Sequence, residues 1–347
     1  MNFARNTVYP LWQRFPTDAT SRSIIPRALF WPSWTTASNS SSQTCAAPWR
    51  VWPRRRIMHE IVVISGKGGT GKTSITAAFA HLAESKVICD LDVDAPDMHL
   101  LLAPQMVRME EFYSGHEAVI DGQRCSGCGI CQDMCRFGAV EADGDKYRID
   151  PARCEGCKVC VAFCPEKAID FPSRHCGAWY VSDTRFGPMV HAQLFPGQEN
   201  SGRLVSVLKQ EARQLAEAGG HDLILCDGSP GIGCPVISSL SQATLAVVVT
   251  EPTPSGVHDL ERVVALCDHF RIKVAVIINK FDLNAGHAAR IEALCREKGY
   301  ALAARLPHDT AVTEAMVRRQ AVTEQDGEHF GLHVREAWKT IQGLLKT

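Results

Sequence analysis

The chain has 347 residues, a net charge of −1, and 45% hydrophobic against 22% charged residues. That leaves room for about two domains of ordinary composition and gives no overall basic balance of the kind nucleic-acid binding exploits. Its longest apolar runs, LAVVV (Leu245 to Val249) and VAVII (Val274 to Ile278), are strand-length, far short of the roughly 20 residues a spanning helix needs, so no stable membrane insertion is expected.

Residues 1–57 differ from the rest. They hold eight arginines and one acid, Asp18, a charge of +7 that leaves −8 for the remainder, together with five of the seven tryptophans and thirteen Ser or Thr. No helical or strand period runs through them, so a disordered, dispensable extension is expected. MHEIVVISGKGG from Met58 reads as a natural start running straight into a strand. An Arg-rich, Ser-rich, acid-poor transit peptide is the other reading of the same residues.

IVVIS (Ile61 to Ser65) is a short buried-strand pattern, and TSITAAFAHLAES (Thr73 to Ser85) is a helix. Between them Gly66, Gly71, Lys72 and Thr73 satisfy GxxxxGK[ST]. In such a loop, here Gly66 with Gly68, Gly69, Thr70, Gly71, Lys72, Thr73 and Ser74, backbone N–H groups cradle phosphates at a helix N-terminus. The lysine reaches the β and γ phosphates, and the hydroxyl sits on Mg²⁺. Lys72 and Thr73 fill those roles, so Lys67 is a second lysine that the motif does not need. KVICDLDVDAPD (Lys86 to Asp97) follows, a strand ending in alternating Asp90, Asp92 and Asp94, where acids face the ligand crevice of an open α/β sheet.

CSGCGICQDMC (Cys125 to Cys135) and CEGCKVCVAFCP (Cys154 to Pro165) are two copies of CxxCxxCxxxC that start 29 residues apart. Four thiolates at this spacing fit a [4Fe-4S] cluster, and in two-cluster ferredoxins the fourth cysteine of each run ligates the other cluster. One cluster is therefore expected on Cys125, Cys128, Cys131 and Cys164, and the second on Cys154, Cys157, Cys160 and Cys135. Structural zinc fits the CxxC pairs but not the duplicated continuation.

DLILCD (Asp222 to Asp227) is a strand closing on Asp227 in the pattern of a Mg²⁺-holding aspartate, followed by the glycine-rich GSPGIGCP. ATLAVVVT, KVAVIIN and ALAAR then alternate with helical stretches around Ser255 to Phe270, Ala285 to Gly299 and Thr310 to Gln320. Such alternation predicts an α/β fold, a mostly parallel sheet with helices on both faces. GLHVREAWKTIQGLLKT puts Val334, Trp338, Ile341 and Leu345 on one face of a closing helix.

KGGTGKT, CDLDVDAPD, the paired cysteine runs, RFGPMVHA, CDGSPGIGCPV, TEPTPSGVHDL and INKFDLN together resemble the MinD/ParA superfamily of deviant Walker A ATPases. The likeness is greatest to its branch with a 2[4Fe-4S] ferredoxin domain inserted in the ATPase. The resemblance implies a P-loop ATPase in two parts, residues 58–112 and 174–347, around a small α+β insert at 113–173. ATP would be sandwiched between two subunits, in a homodimer or in a heterodimer with a related ATPase, with Lys67 reaching the partner's phosphates. Lys67, Lys72 and Asp92 are then the catalytic residues, Asp92 positioning or activating the attacking water. Thr73, Asp90 and Asp227 serve Mg²⁺, and Asn279 and Lys280 lie near the base. NKFD also looks like the guanine-reading NKxD of GTPases. Cys234 falls where a relative, the nitrogenase iron protein, ligates a cluster between subunits; a packed small residue is the plainer reading.

Three functions are compatible with these residues: ATP-gated electron delivery to a redox protein partner, iron–sulfur cluster assembly or carriage for a client protein, and a redox-sensing positioning ATPase of the cell-division type. A cytoplasmic setting is expected for each, with no nucleic-acid partner. Eight ligands at ferredoxin spacing favour the first.

Overall fold

The computed structural model describes residues 58–198, 201–325 and 329–346; the expected extension at 1–57 lies outside them. β1 (His59–Ser65) runs into the glycine loop, and α1 (Lys72–Leu82) starts at Gly71, whose φ of 86° only glycine adopts cheaply. β2 (Lys86–Asp90), α2 (Met98–Leu102) and β3 (Gln105–His116) follow. A small unit then contains β4 (Val119–Ile120), α3 (Ile130–Asp133), β5 (Val140–Asp143), β6 (Lys146–Ile149), α4 (Val159–Phe163) and β7 (Ile169–Asp170). The chain returns through β8 (Ser173–Thr184), β9 (Gly187–Leu194), α5 (Ser201–Gly219), β10 (Leu223–Pro230), α6 (Cys234–Leu240), β11 (Leu245–Thr250) and α7 (Pro254–His269). β12 (Lys273–Asn279), α8 (Ala285–Lys298), β13 (Ala301–Leu306), α9 (Thr310–Val317), α10 (Val322–Gln325) and α11 (Phe330–Leu345) complete it.

The main sheet has the order β13-β12-β11-β1-β10-β2-β9-β8-β3. It is parallel from β13 to β9 and antiparallel through β8 and β3. Its strands β1, β11 and β12 read as unbroken apolar runs because helices cover both faces. Val62 and Ile64 join one core with Leu204, Leu208, Val263 and Ile291. Ile61 and Val63 point the other way, among Ile75, Phe79, Val334 and Ile341. The closing helix therefore packs on the sheet, with the Trp338 ring tilted against Phe79, 5.1 Å between centroids. No helix among the described residues is long and apolar enough to cross a membrane.

The sequence reading assigned no strands to 105–116, 173–184 or 187–194; the structure adds all three to the sheet. β3 is hidden in the sequence because it is an edge strand whose first seven residues are exposed and so lacks a buried alternation. The main sheet runs as far as His116 and takes up the chain again at Ser173.

The cysteine-bearing unit has its own core, in which Ala118, Cys131, Val140 and Ile169 are buried with Cys135, Cys154, Cys160 and Cys164 around them. The sequence duplication is repeated in three dimensions. Cys135 Sγ accepts from Ala139 N and Cys164 Sγ from Ala168 N, both at 3.3 Å. Arg124 pairs with Asp121 and Arg153 with Asp150. Gly129 and Gly138 have left-handed backbones, and so do Lys158 and Lys167 at the same places in the second copy.

Candidate functional site

The functional side chains gather because parallel strands end on one side of the sheet. Asp90 closes β2, Asp227 lies near the end of β10, Glu251 follows β11, Asn279 closes β12 and Pro307 follows β13. The glycine loop leaves the central strand, β1, in their midst, which is where an open α/β sheet binds ligands. Its residues Gly68 to Ser74 line a hollow of about 610 Å³ together with Asp92, Asp94, Asn279 and Lys280. Gly66 stands behind the loop, where a side chain would run into the backbone of Asp259 on α7.

Lys72 is buried and its Nζ lies 3.1 Å from Asp227 Oδ1 and 3.3 Å from Asp92 Oδ2. Thr73 Oγ1 donates to Asp227 Oδ2 at 2.6 Å. Thr76, which sequence reading passed over, donates to Asp227 Oδ1 at 3.0 Å. It sits one turn beyond Lys72 on the same helix face, a spacing that could have revealed it. Asp90 accepts Asp92 N at 3.2 Å with one oxygen, while its other oxygen is buried with no partner. One ammonium thus faces three carboxylates. Burial opposes its charge, but Asp227 and Asp92 outweigh that and hold Lys72 above the ordinary lysine range. Burial and the neighbouring Asp227 push Asp90 well above the carboxylate range. Thr73 and Asp227, with the orphaned oxygen of Asp90 on the neighbouring strand, are the groups that could share a Mg²⁺ with phosphates and water, since that ion takes only one or two carboxylates.

A stability prediction follows from Asp90. Its folded pKa is raised, so the folded state keeps a proton that the unfolded chain has lost, and stability falls as pH climbs from the ordinary carboxylate value through the folded one. Asp90→Asn should therefore stabilise the nucleotide-free protein by about 1 kcal/mol or more at neutral pH, with the gain disappearing toward pH 4. Urea unfolding at several pH values checks this; a gain independent of pH would point to packing instead.

The second lysine points elsewhere. Lys67 Nζ lies 3.2 Å from Glu251 Oε2, with Ser255 Oγ at 3.4 Å and Thr253 Oγ1 at 3.5 Å. Glu251 also holds Lys280 Nζ at 2.6 Å. Asn279 Nδ2 donates to Thr70 O at 2.8 Å, and its Oδ1 accepts Lys280 N at 3.0 Å. Its amide thus braces the phosphate loop in this structure, which leaves one N–H for anything else. A Cβ on Gly71 would come within 2.5 Å of that amide, so this close approach also fixes the glycine. Asp282, the aspartate of NKFD, spends Oδ1 on the backbone N–H of His308 at 2.7 Å, a bond that ties two loops together and competes with reading a base. His308, Asp309, Met316 and Phe330 also line the hollow; nothing in their local sequence marks them. Asp94 is exposed at its outer rim.

A second, much smaller hollow, of about 20 Å³, lies in the small unit and is lined by Cys125, Cys128, Cys131 and Cys164 with Ile120, Tyr147 and Ile169. Three of these cysteines come from the first run and one from the second. In the other set, burial pushes the Cys160 thiol up to about 11, with Cys154 and Cys157 adding to the effect. Among the described residues, no three His, Cys, Asp or Glu side chains converge where a single ion could be held. Cys234 is exposed at the start of α6, while Cys176 is buried with its thiol donating to Ser114 O at 3.2 Å. Cys89, Cys226, Cys267 and Cys295 are core residues.

Comparison with known proteins agrees with this geometry. A family model described as the CobQ/CobB/MinD/ParA nucleotide binding domain matches residues 61–322. An uncharacterized protein of Methanocaldococcus jannaschii is 34% identical over 232 residues, 66% of this chain and 80% of that protein. A cytosolic Fe-S cluster assembly factor, the Nubp1 homolog of Drosophila sechellia, is 22% identical over 294 residues, 77% of this chain and 76% of that one. Among solved structures, the septum site-determining protein MinD of Pyrococcus horikoshii, complexed with Mg-ADP, superposes with a TM-score of 0.51 at 17% identity. It covers 83% of this chain and 97% of that one, a likeness of fold. The matched domain spans β1 to α10 and contains the phosphate loop and its carboxylates, so the chain belongs to the CobQ/CobB/MinD/ParA nucleotide-binding family of P-loop ATPases.

Proposed function

We propose that this chain is an ATPase carrying two [4Fe-4S] clusters, one on Cys125, Cys128, Cys131 and Cys164 and the other on Cys154, Cys157, Cys160 and Cys135. In this reading residues 113–173 are a ferredoxin-type insert, and Mg²⁺-ATP-driven dimerisation gates electron transfer through it to a redox protein partner in the cytoplasm. The observation that carries the reading is the hollow ringed by three cysteines of one run and the fourth of the other, the crossed pattern of two-cluster ferredoxins.

In the ATPase half, Lys72 and the loop N–H groups hold the phosphates, Thr73 and Asp227 with Asp90 hold Mg²⁺, and Asp92 orients water. Lys67 stabilises the transition-state charge of the partner's nucleotide. The hydrogen-bonded Asp282 supports ATP over GTP as substrate.

A second reading, cluster assembly or delivery, is favoured by the likeness to the Nubp1 homolog, whose name gives that role. Against it stands the ferredoxin spacing of all eight cysteines, which suits stably held clusters. The deciding experiment incubates reconstituted protein with an apo-ferredoxin, with and without Mg²⁺-ATP. Retained iron with cluster potentials that move on adding ATP supports electron transfer. ATP-stimulated iron loss to the acceptor moves the assignment to delivery.

A further inference from the structure

Glu251 is a carboxylate with two cations. It is 8% exposed, follows β11, and is contacted by Lys67 at 3.2 Å from the phosphate loop and by Lys280 at 2.6 Å from the end of β12. Lys67 is also within hydrogen-bond distance of Thr253 and Ser255 at the start of α7, and it is about one-third exposed. The lysine is thus tethered on its own subunit, at the rim of the site, beside rather than among the residues lining the hollow.

Leaving a carboxylate buried without a cation is costly, so a lone Glu251–Lys67 pair would hold the lysine hard. Lys280 changes that balance. It sits in a left-handed backbone conformation (φ 53°) that a lysine adopts only at some cost. There it gives Glu251 a second, shorter ion pair that persists when Lys67 departs. Against the burial that would raise it, the two lysines keep Glu251 below the ordinary carboxylate range.

We propose that Glu251 is a latch for Lys67 and that Lys280 is the counter-charge that lets the latch open: Lys67 is parked in cis on Glu251 until a partner subunit's nucleotide offers it a stronger anion. This rests on the reading of Lys67 as the lysine that acts in trans. Both residues are positioning residues, since they act through Lys67.

The two lysine partners make opposite predictions, which a merely structural role for Glu251 does not. The measurement is the protein concentration giving half-maximal ATPase rate, with ATP saturating for each variant, together with dimerisation by analytical ultracentrifugation in Mg²⁺-AMPPNP. Glu251→Gln frees Lys67 and should lower that concentration by roughly fivefold, about what a partly buried ion pair supplies. Lys280→Met leaves Glu251 to Lys67 alone and should raise it by a similar factor. Ser255→Ala, which removes a contact to Lys67, should move it slightly in the direction of Glu251→Gln. An unchanged or raised midpoint in Glu251→Gln, or shifts of the same sign in Glu251→Gln and Lys280→Met, overturns the latch. If the wild type shows no dependence on protein concentration, the trans-lysine reading itself fails, a result distinguishable from failure of the latch.

Discussion

Prepared or reconstituted without oxygen, the protein is expected to hold about eight irons per chain, and the double variant Cys131→Ser/Cys164→Ser to hold about four. The second number is the sharper. Cys131 and Cys164 belong to different runs, so if each run bound its own cluster the double variant would damage both sites and lose nearly all its iron. They line the same hollow, so the crossed arrangement leaves Cys135, Cys154, Cys157 and Cys160 untouched. Cys131→Ser/Cys160→Ser, two third cysteines, should instead lose both clusters. Iron analysis with EPR of the reduced protein separates these cases. Zinc in place of iron, or matching losses in the two double variants, would refute the assignment. The variants should keep their ATPase fold, because the cysteine unit has a core separate from the two cores of the main sheet.

Much of this molecule is legible in its sequence where a motif forces a geometry. Gly71 must be glycine for its φ and for its approach to Asn279, and IVVI must be a central strand because apolar residues point to both faces. The duplicated cysteine runs announce a unit with pseudo-symmetry, and the matched backbone of Gly129 and Lys158 repeats it. What sequence left obscure depends on long-range neighbours. The exposed edge strand β3 carries no buried alternation to detect. Glu251 looks like an ordinary acid before a proline until β1 and β12 bring two lysines to it. The family resemblance implies that Asn279 lies near the base. Its engagement with Thr70 O arises only because the phosphate loop crosses that end. NKFD is ambiguous as a string, and the backbone N–H that occupies Asp282 comes from His308, 26 residues away.

Lys72→Ala is expected to abolish nucleotide binding, whereas Lys67→Ala should bind ATP with little change and hydrolyse it about 10²-fold or more slowly. The structure separates the two lysines physically. Lys72 lies buried against Asp92 and Asp227, and Lys67 is outside the hollow on Glu251. For ATP to enter, Lys72 must exchange two carboxylates for phosphates, which strips Asp227 and Asp92 of their cation just as more negative charge arrives. Mg²⁺ supplies the missing charge, so ATP affinity should fall steeply in EDTA even though the lysine and loop are intact. Removing Lys72 without ligand leaves Asp90, Asp92 and Asp227 with no ammonium among them. That should destabilise the fold by about 3–5 kcal/mol at neutral pH, the cost of a buried charge left unpaired. The loss should shrink in acid, where protonation of the carboxylates takes the place of the missing lysine. Titration calorimetry with Mg²⁺-ATP and denaturation at two pH values test both halves. Equal losses of ATP affinity in Lys67→Ala and Lys72→Ala would remove the distinction between a lysine that binds its own nucleotide and one that acts on the partner's.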